Sequence, residues 1–444
     1  MRVAVIGAGI VGVTTAHELA RDGHEVSVFE RRASVAAEGS FANAGVVAPG
    51  YVSPWAAPGM PAKVLRHLFG RHAVVRFGGW PDAALAGWLW RWWRECAPSH
   101  YAVNRTRLHR LATYSRERLD ALTEELDLEY ERARGYLVLL RTAGERARAQ
   151  AALALLRDFG ARHELLDAEG CRRVEPGLNP HTPLAGGIHL PDDGVGNCRQ
   201  FAHAIRQASQ RHGVQWHFGC ETLALTPGTR PQLTLRPLPA LEGGPVAPAR
   251  TMDFDAVVLC SALGTLPLLA PHGVHLPMVP VYGYSITAPL RHVDEQPPHA
   301  PRAALMDETY KVAISRLGQR VRVAGGAELG GTLQHQRAQP LATLHKVLDD
   351  WFPGAAQATQ VQRWKGARPM LPDGAPLIGP TGLPGVWLNA GHGSSGWALA
   401  CGSARVVADL LAGREGAIDT EGFGLDRYRP GARVAAQAAA QPAT

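Results

Sequence analysis

The hexapeptide Gly7-Ala8-Gly9-Ile10-Val11-Gly12 has the residue types and spacing to cradle a pyrophosphate. Gly7 permits a tight turn, Gly9 lets the backbone approach a phosphate, and Gly12 lets a helix pack closely on a strand. A helix opening there offers unpaired N–H groups and positive potential. Glu30 ends the next apolar run, where a carboxylate can take ribose hydroxyls. That placement makes the motif a dinucleotide site, against the plainer reading of a tight turn. A second group centres on Arg368, within Gly366-Ala-Arg-Pro-Met-Leu-Pro-Asp-Gly374. Pro and Gly stiffen its path, and a fixed guanidinium offers a forked partner to a carboxylate. The plainer reading is a surface arginine. A third group is Ala390-Gly391-His392-Gly393-Ser-Ser-Gly396-Trp397. N–H groups in such a turn can stabilise negative charge on an adjacent ring. His392 is there either a base or a ring packing on a cofactor. A fourth stretch, Val257–Gly264, is an apolar run ending in small residues, Ser261 and Gly264 among them. It admits a cofactor closely or is an ordinary strand and turn. GxSxG, HExxH, Walker A and kinase signatures are absent.

These residues need elements to position them. Arg2-Val-Ala-Val5-Ile6 reads as a strand, and Ile10, Val13, Ala16, Leu19 and Ala20 share one face of a helix over 10–22. Gly23 ends that helix, and Glu25–Phe29 is a second strand. The three form a βαβ unit. Residues 61–130 read as helical and rich in Trp and Arg, 131–140 as strand, and 143–160 as helix. Cys198–Arg211 is a helix feeding the strand Val214–Phe218, and 226–250 carries a Pro/Gly-rich hairpin loop. Phe254–Cys260 is a strand, 279–330 holds several more, and 340–352 is a helix. Gly385–Asn389 leads through the third group into a helix over Trp397–Leu411, and an Ala- and Gln-rich tail from Pro430 to Thr444 is expected to be disordered.

The chain has 444 residues, of which 46% are apolar, enough for two or three globular domains. Lys and Arg total 46 against 39 Asp and Glu, for a net charge of +7. Only Lys63, Lys311, Lys346 and Lys365 are lysines, and no dense basic run of the kind that tracks nucleic acid occurs. The six cysteines (Cys96, Cys171, Cys198, Cys220, Cys260, Cys401) include no CxxC pair, which argues against zinc and thioredoxin chemistry, and no metal is expected; their sparseness fits a reducing compartment. A strand beginning at Arg2 leaves no room for a presequence, so a cytoplasmic protein is expected. The long uncharged stretch from Gly39 to Ala62 contains Pro49, Pro54, Pro58 and Pro61 and reads as an ordered loop. Trp80, Trp88, Trp90, Trp92 and Trp93, interleaved with Arg91 and Arg94, suit either a membrane interface or interdomain packing.

Taken in order, these pieces resemble the flavoprotein family of D-amino acid oxidase and glycine oxidase, over nearly the whole chain from Met1 to Arg429. The marks are Ser40-Phe-Ala-Asn43-Ala44-Gly45, Pro49-Gly-Tyr-Val-Ser-Pro-Trp-Ala-Ala-Pro-Gly59, Asp307-Glu-Thr-Tyr310-Lys-Val-Ala-Ile314, Arg368-Pro-Met-Leu-Pro-Asp-Gly374, and Leu388-Asn-Ala-Gly-His-Gly393 with Gly396-Trp397. The resemblance implies an α/β fold, α+β overall. A Rossmann-like FAD-binding domain of 1–60, 190–270 and 360–429 would interleave with an antiparallel-sheet substrate domain of 61–189 and 271–359. It implies non-covalent FAD, with the ADP half on Val5–Gly12, Glu30 and Arg31. Ser40, Asn43, Ala44 and Gly45 would run near the flavin, and Gly391–Gly393 would face its pyrimidine edge. Arg368 would grip a substrate carboxylate, with Ala367 where the family has Leu, helped by Tyr284 or Tyr310. The implied activity is oxidation of D-amino acids to 2-oxo acids and ammonium. Electrons would pass to a quinone or other respiratory acceptor at the inner face of the plasma membrane. Oxidation of glycine, sarcosine, cyclic imino acids or L-amino acids, and flavin binding without turnover, remain as rivals.

Overall fold

A computed structural model describes residues 1–67, 70, 72–239, 247–291 and 299–428; the expected disordered tail lies outside these. Arg2–Ile6, Ile10–Arg21 and Glu25–Glu30 form the βαβ unit, the two strands pairing in parallel from Arg2↔Glu25 to Ile6↔Phe29. They lie within a six-stranded sheet in the order Leu377–Pro380, Val386–Ala390, Ala256–Leu259, Arg2–Ile6, Glu25–Glu30, Gln215–Phe218. The first two pair antiparallel and the rest parallel. Both faces of this sheet are buried, which explains its unbroken apolar strands. Val3, Val5, Val26 and Val28 pack with the helices Ile10–Arg21, Cys198–Arg211 and Gly396–Leu411. Ala4, Ile6, Phe29, Val257 and Leu259 point the other way, onto a three-stranded antiparallel sheet of Cys220–Thr226, Gln232–Pro237 and Arg250–Asp253.

The helices on the first face are tied by charge as well as by packing. Glu18, fully buried, accepts from Arg118 at 2.6 Å and from Arg405 at 2.8 Å. Arg118 sits on the long helix Pro98–Glu125 and Arg405 on Gly396–Leu411, so one carboxylate joins three helices.

The second sheet holds ten strands. Its central run is Gln362–Met370, Val279–Pro289, Arg320–Leu329, Val312–Leu317, Ala304–Asp307, Ala133–Leu140, Gly186–Val195. The helix Ala338–Trp351 covers one face, burying Leu344, Val347 and Trp351 against Tyr284, Ile286, Val312 and Val323. The sheet is mainly antiparallel, with two parallel pairings: Ala133–Leu140 with Ala304–Asp307, and Val75–Phe77 with Arg320–Leu329.

The expected domain borders also shift. Gln362–Met370, assigned to the FAD-binding segment 360–429, pairs with Val279–Thr287 inside the second sheet. Val46–Val47 belongs to that sheet too, and Gly186–Val195 runs straight through the border drawn at 190. Continuous strands carry the chain from one unit to the other, so no composition change marks the crossing. The helical stretch 61–130 is likewise divided, into Met60–His67, Ala83–Glu95 and Pro98–Glu125, with Val75–Phe77 as a strand between the first two. Asp82 caps the second helix through Leu85 N–H at 2.8 Å, and Pro98 opens the third.

Candidate active site

The Gly-rich turn is built so that side chains are excluded from it. Gly7 has φ +100°, and a β-carbon there would stand 2.9 Å from Ser261 Cα. A β-carbon on Gly12 would stand 1.9 Å from the Gly7 carbonyl oxygen. Gly9 is the N-cap of Ile10–Arg21, whose first-turn N–H groups have no carbonyl to donate to inside the helix. Ile10 N–H donates to Ser40 Oγ at 3.0 Å, which brings the Ser40–Gly45 segment to the helix start. Val5 and Ile6 lie buried in the strand below, and Ala8 beside them. Glu30 accepts Ala8 N–H at 2.8 Å and Arg32 N–H at 2.7 Å, one on each oxygen, leaving lone pairs for hydroxyl donors. Arg31 makes a forked pair with Glu38, so its charge is neutralised within the chain. Ser261 Oγ bonds Thr265 Oγ1 at 3.1 Å, and Gly264 closes the short turn that follows.

Arg368 stands at Val281 in register, on the strand Gln362–Met370. Its Nη1 donates to the Gly326 carbonyl at 2.8 Å, and its guanidinium lies 5.8 Å from the centre of the Trp55 ring. Among the described residues no carboxylate pairs with it. Burial with no counter-charge pulls its pKa down to about 10. A half-buried guanidinium with one carbonyl and one aromatic face for company has donors left over for an anion that the chain does not itself supply.

Neither expected tyrosine joins it. Tyr284 is in register with Lys365, three positions from Arg368, and therefore points to the opposite face of the sheet. There its hydroxyl donates to Glu328, whose other oxygen takes Lys365 Nζ at 3.0 Å. Tyr310 packs between the Arg141 and Lys346 cations, with ring distances of 5.0 and 5.3 Å. The expectation that either assists Arg368 is corrected, for Tyr284 by this parity and for Tyr310 by its packing on Arg141 and Lys346.

His392 is buried, 4% exposed, with Nε2 bonded to Ser403 Oγ at 2.9 Å. Burial holds it neutral, with a pKa near 3. It braces the start of the last helix through Ser403. Gly391 and Gly393 have positive φ and pack against Leu371 and Met370, the residues that follow Arg368. Asp373 closes the same arm by holding Arg427 and Tyr428. Gly396 begins the helix, and Trp397 Nε1 donates to the Gly45 carbonyl at 3.2 Å, so Trp397 acts on the Ser40–Gly45 segment from behind.

Sequence reasoning missed Ser285, Ser315 and Arg322. Their side chains reach the carbonyls of Ala42, Ala44 and Asn43 from the face that also carries Arg368. The available signal was a polar residue at alternate positions of otherwise apolar strands, as in Val321-Arg322-Val323. The tryptophan group divides. Trp88 is buried, with Nε1 on the Met370 carbonyl at 2.9 Å, and it stacks on Trp92. Trp80, Trp90 and Trp93 are exposed, by 96%, 59% and 54%.

Residues 2–410 match a family described as FAD dependent oxidoreductase. A D-amino acid dehydrogenase of Rhizorhabdus wittichii is 43% identical over 436 residues, covering 96% of this chain and all of the relative. One of Cereibacter sphaeroides is 43% identical over 444 residues, covering 98% and 97%. Among solved structures, glycine oxidase from Geobacillus kaustophilus superposes with a TM-score of 0.73 at 22% identity, covering 96% of this chain and 99% of that one.

Proposed function

The chain belongs to the FAD dependent oxidoreductase family, and from that premise we propose that it is a D-amino acid dehydrogenase. It oxidises the Cα–N bond of a D-amino acid to an imine, which water hydrolyses to a 2-oxo acid and ammonium. The observation that carries the reading is the carboxylate-free guanidinium of Arg368, on the sheet face whose Ser285, Ser315 and Arg322 hold the Ala42–Ala44 carbonyls. The D-amino acid dehydrogenase relatives supply the stereochemistry and substrate class.

The residues present fit FAD. Side chains at Gly7 and Gly12 would fill the cradle, and the helix start and Glu30 supply N–H donors and a carboxylate acceptor at the right ends. When bound, FAD accepts the hydride that leaves Cα. Arg368 takes the substrate carboxylate as a forked pair, with the Trp55 ring beside it. That contact fixes Cα and contributes chiefly by orientation. The substrate amine reacts in its neutral form, so its proton goes to solvent before the hydride leaves. His392 is a poor base for this proton, because burial lowers its pKa to about 3.

The electron acceptor is a membrane quinone, reached from the cytoplasmic face. Leu65, Trp80, Trp90 and Trp93 are exposed, and Lys63, Arg66, Arg91 and Arg94 lie among them in sequence and are exposed as well. Aromatic and basic side chains together suit an anionic lipid surface. No described helix is long and apolar enough to cross a membrane. Sedimentation with anionic vesicles at low salt checks this contact, and wild-type binding by a Trp90→Ala, Trp93→Ala variant would remove it.

The test of the main reading is anaerobic bleaching of the flavin absorbance. D-Alanine bleaches rapidly, and L-alanine, glycine and sarcosine slowly or not at all. Colour returns slowly in air and quickly with a soluble quinone. Preferential bleaching by glycine or an L-amino acid would replace the substrate class and leave the cofactor.

A further inference from the structure

The segment Ala42–Gly45 is held through consecutive carbonyls. Ser285 Oγ donates to Ala42 O at 2.8 Å, Arg322 Nη1 to Asn43 O at 3.1 Å, and Ser315 Oγ to Ala44 O at 2.7 Å. Gly45 O takes Trp397 Nε1 at 3.2 Å and Gly196 N–H at 2.8 Å. In a trans peptide the carbonyl and the following N–H point in opposite directions. Fixing Ala42 O and Asn43 O on the sheet therefore turns the N–H groups of Asn43 and Ala44 away from it. Neither has an acceptor among the described residues, whereas Gly45 N–H is taken by Asn43 Oδ1 at 3.0 Å. The result is two successive free donors on the side away from the sheet.

Arg322 differs from the two serines by its charge. It is only 5% exposed. Its Nε is satisfied by Thr287 Oγ1 at 2.9 Å, and no carboxylate pairs with it among the described residues. Glu131, the acid in its surroundings, is already engaged by Arg320 and Asn197. Arg320 adds a second positive charge nearby. A buried, uncompensated cation costs free energy unless negative charge appears nearby at some stage of the working cycle.

We propose that Arg322 is a positioning residue for the bound flavin: through the Asn43 carbonyl it aims the Asn43 and Ala44 N–H groups at the ring, and its charge favours the reduced, anionic form. The proposal rests on the reading that Ser40–Gly45 runs along the cofactor. Ser285 and Ser315 fix the same wall without adding charge.

Sulfite is the probe, because it adds to flavin as an anion and so reports local positive charge without turnover. Arg322→Met and Arg322→Gln are compared with the wild-type holoenzyme for sulfite affinity and for the two-electron midpoint potential. Gln retains a donor for Asn43 O and removes only the charge. Both variants are expected to bind sulfite at least tenfold more weakly, and each tenfold change in the stability of the reduced form lowers the potential by about 30 mV. Arg322→Lys, which keeps the charge, stays within threefold of wild type. Wild-type sulfite affinity and potential in both neutral variants would overturn the proposal. If neither folds, the wild-type holoenzyme carries the test: a reduced flavin held as the anion takes up one proton with two electrons, so the midpoint potential should fall by about 30 mV for each tenfold drop in proton concentration between about pH 6 and 8. A fall of about 60 mV per tenfold would show a neutral reduced flavin and overturn the proposal. Wild-type protein that purifies without FAD would instead sink the cofactor reading beneath it.

Discussion

The guanidinium of Arg368 fills the space above Gly283: a β-carbon placed on that glycine would stand 2.2 Å from Nη2 and 2.4 Å from Cζ. The obstructing atoms are the far end of a flexible side chain, so the backbone can keep its course while the guanidinium moves. Gly283→Ala is therefore expected to fold and to misplace the carboxylate receptor. KM for D-alanine should rise by tenfold or more, consistent with the loss of about 1.4 kcal/mol or more of binding. Steady-state kinetics check this, and an unchanged KM would place the substrate elsewhere.

Tyr284 lies one residue along the same strand and answers to a different environment. Its hydroxyl serves Glu328 on the face under the helix Ala338–Trp351. Burial and that carboxylate both hold the phenol above its usual pKa. Tyr284→Phe removes a hydrogen bond to a charged, buried group, worth roughly 1.5–3 kcal/mol. The urea midpoint should fall accordingly while KM for D-alanine stays within twofold of wild type. A large KM effect with unchanged stability would return Tyr284 to the substrate side.

The contrast between these two positions shows what the sequence carries and what it hides. The βαβ unit is legible because its signals are local: alternation in Arg2–Ile6, helical spacing from Ile10, and Gly residues at the turn. Arg368 is legible as a fixed cation because Pro and Gly flank it. The partner of Arg368 is not, because it depends on the register of Val279–Pro289 against Gln362–Met370, and a shift of one residue exchanges the faces. The wall formed by Ser285, Ser315 and Arg322 is hidden for the same reason. Its three members come from three strands and meet only at the carbonyls of Ala42–Ala44. The border near 360 is hidden because one strand serves the second sheet while its continuation enters the first.

The cradle offers a sharper test of cofactor binding than its charged neighbours do. At Gly12 the obstruction is the Gly7 carbonyl, 1.9 Å from a built β-carbon, and backbone there cannot yield without opening the turn. Gly12→Ala is expected to purify with under a tenth of the wild-type flavin content, read from absorbance near 450 nm. Far-ultraviolet circular dichroism should remain near wild type, since the strand and helix are otherwise intact. Full flavin content in this variant would show that the phosphates do not lie on this turn.

Asp193 sets a pH dependence of stability. It is buried, accepts Gly50 N–H at 3.2 Å, and has its pKa pushed up to about 7 by burial. An unfolded aspartate titrates near pH 3.9. Between about pH 4 and 7 the native state thus holds a proton that the unfolded state has released. Stability falls as pH rises through that window and levels off above it, by up to about 4 kcal/mol from this group. Glu175, also raised to about 7, acts in the same direction. His17 and His392, both lowered to about 3, act in the opposite direction between pH 3 and 6.5, because there the unfolded state binds the extra protons. The Asp193 contribution is therefore read as a difference between two proteins. Asp193→Asn keeps an acceptor for Gly50 N–H and carries no charge. Its Tm should match wild type near pH 4 and exceed it increasingly up to pH 7, with a constant advantage above. A Tm difference that does not change with pH would show that Asp193 is ionised in the native state throughout.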